Sequence, residues 1–428
     1  MYRFSGEVDA GLAPPPFFWK QATSSDSNST YGARRNRNDL LAIVTGLAAA
    51  LLPALATPVM AQQRIRPPQP LSLSVEAETG WDSNVRFGIP GGPGDEVRHL
   101  SGGLRKLARA ARTELAVALR LDLLTHRTVK ELDAFTYHLE GDGLRRLSPR
   151  LNVHARAAAQ SRTSSDVEIG RDAVSGVVPE TSLLPLLPRS RSRSEEGGAG
   201  AFFALSPRTS ALLDASYVRT SFDSLLLVGG SAASGSALLR RRVTPLDVGI
   251  GTLDVRRVRL GREGVWLRTV AGAWTHDASA FVTSVELGAA YATMDSSRWS
   301  TMAPVGSVKL SSLPGRGSQL VGEYRRTVSQ AFGLGAILSV DEISVGYGST
   351  FDRGFQLHFR IDQSWSTDLP NRRSRLYSSQ LAATLEQPLL SGWTVGARVS
   401  KRRRDDVITV DGTGMSVFAR FDFREPIR

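Results

Sequence analysis

The chain has 428 residues, no cysteine and a formal net charge of +12, with 41% hydrophobic residues. The missing cysteine excludes a disulfide framework, a thiolate metal site and an acylated lipoprotein cysteine. No segment beyond residue 61 is a run of about 20 apolar residues, which excludes a bundle of membrane helices. A transmembrane barrel passes the same filters, because half of each of its strands is polar.

The first element is an address. Arg34, Arg35 and Arg37 precede the apolar stretch Leu40–Ala56, and Val59-Met60-Ala61 places small residues at the −3 and −1 positions before Gln62. This is the plan of a cleavable secretory signal, so residues 1–61 are set aside from the fold, and export takes the protein away from nucleic acid. Gln62–Pro70, with three prolines, reads as an extended lead-in, and residues 71–428 as the folded body.

That body opens on Leu71–Val85. Leu71, Leu73, Val75, Ala77, Thr79 and Trp81 alternate with Ser72, Ser74, Glu76, Glu78, Gly80 and Asp82. Period-2 alternation held this long makes one apolar and one polar face only in an extended strand, and about 9–11 residues are what a tilted strand needs to cross a membrane. The pattern recurs in Thr113–Leu123, Leu151–Arg162, Phe281–Tyr291, Phe355–Asp362, Trp393–Val399 and Met415–Phe423. In isolation GLRKLARAARTELAVALR fits helical spacing, but the global pattern makes it strand. A parity change near Thr252–Leu253 predicts a bulge.

Short turns carry Pro, Gly or Asp: Leu147–Arg150 and Leu205–Arg208 (both LSPR), Thr244–Leu246, Leu313–Gly315, Phe351–Gly354 and Pro388–Gly392. These residues pre-set turn dihedrals. The double-length gap between Pro245 and Pro314 predicts one more turn, at His276–Ser279. Longer polar connections are expected at Gly88–Val97, Thr163–Glu196 and Thr367–Arg375. Short turns at one end and long loops at the other, with Trp81, Tyr291, Tyr347, Trp365, Trp274, Trp393 and Phe423 near strand ends, predict an all-β, closed antiparallel transmembrane barrel with two aromatic girdles. The hairpin count gives about 18 strands, with 16 as the alternative.

The first strand ends in Trp81-Asp82-Ser83-Asn84, followed by a Gly- and Asp-bearing loop and the Leu/Arg strand HLSGGLRKL. This resembles the beta-barrel porin families encoded near exopolysaccharide loci, and is similar in plan to barrel exporters of secreted polysaccharides. The resemblance implies an outer-membrane conduit or accessory for polysaccharide export, with a periplasmic export partner as a separate chain. The alternative is a general diffusion porin for small anionic solutes, and a third reading is a surface barrel without transport.

Charge is costly on the lipid face, at about 2–4 kcal/mol for Arg at mid-depth. Parity therefore turns Arg120, Arg156, Arg360, Arg398 and Arg420 into the lumen, together with Glu76, Glu78, Glu114, Asp122, Glu286, Asp362 and Asp422. They form either a ladder that passes an anionic polysaccharide or solute, or cross-strand ion pairs that stiffen the barrel. The clusters Arg240–Arg242, Arg256-Arg257, Arg372–Arg375 and Lys401–Arg404 suit lipopolysaccharide phosphates at the outer side, or a solvated rim. Within the longest loop, Leu183, Leu184, Leu186 and Leu187 either fold inward as a constriction or belong to a mobile external loop. Asp82, Ser83 and Asn84 either bind sugar hydroxyls or a cation, or end a strand through side-chain-to-backbone bonds. The dispersed histidines suggest no metal site, and without a GxSxG motif or a Ser/His pair no enzyme and no cofactor are expected.

Overall fold

The computed structural model describes residues 71–85, 91–163, 190–225, 227–278, 280–295, 299–312, 318–351, 354–369, 375–389, 392–405 and 409–424. The expected signal and lead-in segments and the constriction candidates Leu183, Leu184, Leu186 and Leu187 lie outside them. In chain order the strands are β1 (Leu71–Asp82), β2 (Asp95–Arg109), β3 (Thr113–His126), β4 (Ala134–Ser148), β5 (Leu151–Thr163), β6 (Arg191–Ser206), β7 (Thr209–Phe222), β8 (Gly230–Arg242) and β9 (Asp247–Leu260). There follow β10 (Glu263–Asp277), β11 (Phe281–Met294), β12 (Ser300–Ser312), β13 (Ser318–Ala331), β14 (Ala336–Thr350), β15 (Gln356–Asp368), β16 (Arg375–Pro388), β17 (Trp393–Asp405) and β18 (Thr409–Arg424). Each pairs antiparallel with its sequence neighbours, and β1 pairs with β18, so the 18-stranded sheet closes on itself.

Closure gives every strand a neighbour on both sides, as a sheet in lipid requires. Register assigns the faces. Phe423, Leu73, Leu104, Leu119 and Leu139 stand opposite one another along one row. One residue on, the row is Asp422, Ser74, Gly103, Arg120 and His138. The first row belongs to a belt of exposed large apolar residues that includes Leu121, Leu213, Val270, Leu287 and Val417. An apolar surface this extensive fits a lipid-facing exterior and not a soluble monomer. Trp274, Phe281, Phe355, Trp393 and Phe423 ring the short-turn end, and Trp81, Phe135, Tyr291 and Trp365 ring the other, as girdles at two interfaces should. Leu287, 71% exposed, lies midway along β11. Leu287→Arg is therefore expected to cost about 2–4 kcal/mol in a urea titration of the lipid-inserted barrel. Ser284→Arg on the inner face of the same strand should assemble normally; equal behaviour of the two would reverse the face assignment.

The turns follow the sequence closely. Both LSPR repeats make two-residue turns in which the Ser148 and Ser206 hydroxyls accept the Arg150 and Arg208 N–H at 3.2 Å. A one-residue register shift stands beside each. The predicted hidden turn falls between Asp277 and Phe281. The helix-like stretch is strand, bent at residues 110–112 between β2 and β3. Three expectations are corrected. No bulge interrupts β9, whose register with β8 and β10 is continuous; the parity change is apparent only, because the outer face carries Gly249 and Gly251 where apolar side chains were expected. The longest loop ends sooner than Glu196, because β6 begins at Arg191. Arg240–Arg242 close β8 at the short-turn end, opposite the long loops, and so do not face the outer side.

Candidate functional site

Five adjacent strands at the closure seam, with β16 beside them, bring most of the predicted lumen charges into one network. Arg398 on β17 donates to Glu78 at 2.7 Å and to Glu76 at 3.3 Å, both on β1. The two carboxylates lie beyond β18, which contributes Ser416 as a further donor to Glu78. Arg420 donates to Asp422 at 2.9 Å and to Glu386 at 3.0 Å, and stands 4.0 Å from Glu76. Across β2, His99 bridges Glu78 at 3.7 Å and Asp122 at 3.0 Å, and Asp122 accepts from Arg120 at 3.0 Å. Phe418 supports the guanidinium of Arg398, whose carbon lies 4.0 Å above the ring centre. Glu76, at 2% exposure, sits at the heart of the network.

Alternation put these groups on one face, and register decided who meets whom. Two of the predicted lumen arginines stand apart from the network. Arg360 pairs with Asp362 at 2.6 Å along β15, and Arg156 pairs with Glu196 at 3.1 Å. The side chain of Arg156 is 54% exposed, so this part of the inner wall is wet. Every predicted lumen arginine thus has a carboxylate partner. Glu76, Glu78 and His99 bring ligand atoms within 4.8 Å of one another. Both glutamates already accept from Arg398, however, so the donor set is that of an ion-pair network and not of a metal centre.

Asp82, Ser83 and Asn84 act as a strand end. Asn84 N–H donates to Asp82 at 3.0 Å, its amide donates to the Asp411 carbonyl at 3.1 Å, and Ser83 exchanges bonds with the Thr413 backbone. The basic clusters divide by parity. Arg256 points in and Arg257 out, where Arg257 stacks 4.8 Å from the Trp266 ring and pairs with Asp295. Arg402 pairs with Asp82 inside, while Arg403 pairs with Asp405 at 2.9 Å outside. Most of Arg372–Arg375 lies outside the described residues.

The feature that sequence reasoning missed is the β13–β14 hairpin. Elsewhere neighbouring strands share eleven to fourteen residue pairs, but β12 and β13 share only six, Gly306↔Arg326 to Ser311↔Val321. Beyond Arg326 β13 parts from β12 and the hairpin tip turns inward, while β14 keeps its ladder with β15 as far as Leu338↔Asp368. Below the departure its outer face exposes Leu320, Tyr324 and Ile343. Above it, Val328, Phe332 and Ile337 pack against inward residues of β8 to β12: Ala232, Val258, Val265, Leu267, Ala292 and Ala303. Gln330 accepts from Arg256 of β9 at 2.8 Å, and Leu369 beyond β15 joins the cluster. In a closed barrel, contact between strands this far apart passes through the lumen.

The tip is latched. Val228, in the β7–β8 loop, and Gly333 exchange backbone bonds of 3.0 and 2.7 Å. Gly333 and Gly335 hold φ of +93° and +65°, a region that favours glycine. A Cβ on Gly335 would stand 3.0 Å from Val228. The signals for this feature are Pro304, inside β12, and the paired glycines of Phe332–Gly335. Proline in a sheet is confined to edges and bulges, and it is at its level that the β12–β13 ladder is missing.

No family model matches the chain, and no curated protein matches it. Among solved structures it is similar to OccAB4 of Acinetobacter baumannii, with 8% identity, 84% of this chain and 99% of that one covered, and a TM-score of 0.48. It is likewise similar to OccK2 (OpdF) of Pseudomonas aeruginosa, with 10% identity, coverage of 83% and 97%, and a TM-score of 0.48. A third is the FrpB iron transporter of Neisseria meningitidis, of whose length the chain spans 62%, with 78% of this chain covered, 8% identity and a TM-score of 0.46.

Proposed function

We propose that the protein is an outer-membrane diffusion channel for small anionic solutes, with a pore narrowed at its long-loop end by the β13–β14 hairpin. The observation that carries this reading is the wet inner wall around Arg156 and Glu196, inside a barrel of a strand number that ordinarily leaves an aqueous channel. The basic overall balance favours anions. Most lumen arginines are held by carboxylates, so selectivity rests on the hydrated ones, and Arg156 leads them. Outward Arg257 and Arg403, near the long-loop end, suit lipopolysaccharide phosphates. A hairpin lying across the lumen favours small solutes over a polymer. The Trp81–Asn84 resemblance keeps polysaccharide export as the second reading, with a separate periplasmic partner.

The test is single-channel recording in planar bilayers under a salt gradient. The expected result is a conducting, anion-preferring pore whose reversal potential moves toward cation preference in Arg156→Glu, with conductance retained. A non-conducting barrel would overturn the channel reading. Loss of secreted polymer in a deletion strain, restored by the full-length gene, would favour export.

A further inference from the structure

The parting of β13 from β12 leaves the wall incomplete on one side of the hairpin, whose β14 stays laddered to β15. Ser300–Val305 pair with β11 on one side, and among the described residues no backbone ladder joins their other edge to β13. Outward, this edge carries Met302, 68% exposed, beside Tyr291, which stands opposite Arg268. At the last shared rung lies Arg326, whose buried Nε is 3.8 Å from Asp341 and makes no hydrogen bond. Directly inside the edge is the apolar cluster around Ala303, Ala292 and Val328, and a second buried apolar group is formed by Ala331, Leu338, Val340 and Leu376. Bare N–H and C=O groups do not face hydrocarbon, so this edge requires a polar partner.

We propose that the gap between the upper halves of β12 and β13 is a lateral portal, through which a single-chain amphiphile with an anionic head passes between the lumen and the outer leaflet. The chemistry follows from the lining. An acyl chain takes the place of Val328 and Ile337 against the inner apolar wall when the hairpin tip swings back together with the end of β15 that is laddered to it. The head group meets the donors of the β12 edge and of Arg326, with Arg268 on the approach. Pro304 keeps the seam from zipping, because it has no N–H to give a ladder. This function goes beyond axial diffusion of small anions and stands independently of it.

The probe is radiolabelled oleate, supplied to Gram-negative cells that lack a long-chain fatty-acid channel of their own and express the full chain. Uptake several-fold above the empty vector is expected, and Pro304→Val should lower it. Because the chain has no cysteine, Arg256→Cys with Gln330→Cys can be bridged by a reducible bis-methanethiosulfonate that pins the hairpin inward. Uptake should fall to the vector level and return on reduction, which separates a pinned hairpin from a misfolded barrel. Oleate uptake at the vector level in cells whose barrel conducts ions overturns the portal and leaves the channel reading in place, and so does uptake indifferent to the bridge. Oleate uptake without ion conductance overturns the channel reading and leaves the portal.

Discussion

Glu76→Ala will lower the unfolding midpoint of the barrel more than any other single truncation on the inner wall. Glu76 is 2% exposed and lies 3.3 Å from Arg398 and 4.0 Å from Arg420. Removing one partner of a buried ion pair leaves the others uncompensated, at about 3–5 kcal/mol. Glu76→Gln keeps the volume and an acceptor but loses the charge, so it should fall between the alanine variant and the parent. Arg156→Ala, on the hydrated pair, should change the midpoint by no more than about 1 kcal/mol. Urea titrations of vesicle-inserted protein, read by tryptophan fluorescence, order the three. A Glu76→Ala midpoint within error of the parent would mean that water reaches the seam and that the network is not its fastening.

The same contrast separates scaffold from pathway. Arg398 is held by two carboxylates and an aromatic ring, and a solute would have to displace all three to reach it. Arg156, 54% exposed, pairs with Glu196 among the described residues and stands opposite Asp142. The electrostatic ladder and the stiffening ion pairs, two readings that alternation alone left side by side, thus describe different parts of one wall.

Much of the architecture was legible, for a physical reason: a lipid-facing strand cannot hide its parity. Met415, Val417, Ala419, Phe421 and Phe423 had to face one way, and Ser416, Arg420 and Asp422 the other. The helix-like segment resolved into β2 and β3 because each found a ladder on both sides, which outweighs local propensity. Partners were not legible. Glu76 meets Arg398 and Arg420 only because β1 closes on β18, and the register of strands more than 300 residues apart is absent from local pattern. The infolded hairpin was hidden by the same parity that revealed the rest. Val328 and Ile337 sit at positions that look lipid-facing, and they meet apolar surface in either arrangement. Pro304, a residue that a paired interior strand avoids, and the glycines at the hairpin tip marked the place where the wall parts.

Unseating that hairpin will enlarge the pore. Val328, Phe332 and Ile337 dock it on the inner wall, and full burial of each such side chain is worth about 1.5–3 kcal/mol. Ile337→Asp removes one of these contributions and adds the cost of placing a carboxylate against Val258, Val265 and Leu267, so the docked state loses its advantage. Conductance should rise several-fold, with frequent transitions between levels. A shortened chain should give the larger state permanently. Thr327 and Val340 are opposite one another in the register, so residues 328–339 can be replaced by Asn-Gly, a two-residue hairpin turn. The Arg325–Glu342 pair below the cut, at 2.5 Å, remains to hold the lower half of the hairpin. Both variants should keep the heat-modifiable gel migration of an assembled barrel. If both assemble and conduct as the parent does, the hairpin is not the constriction and the narrowest point of the pore lies elsewhere along the wall.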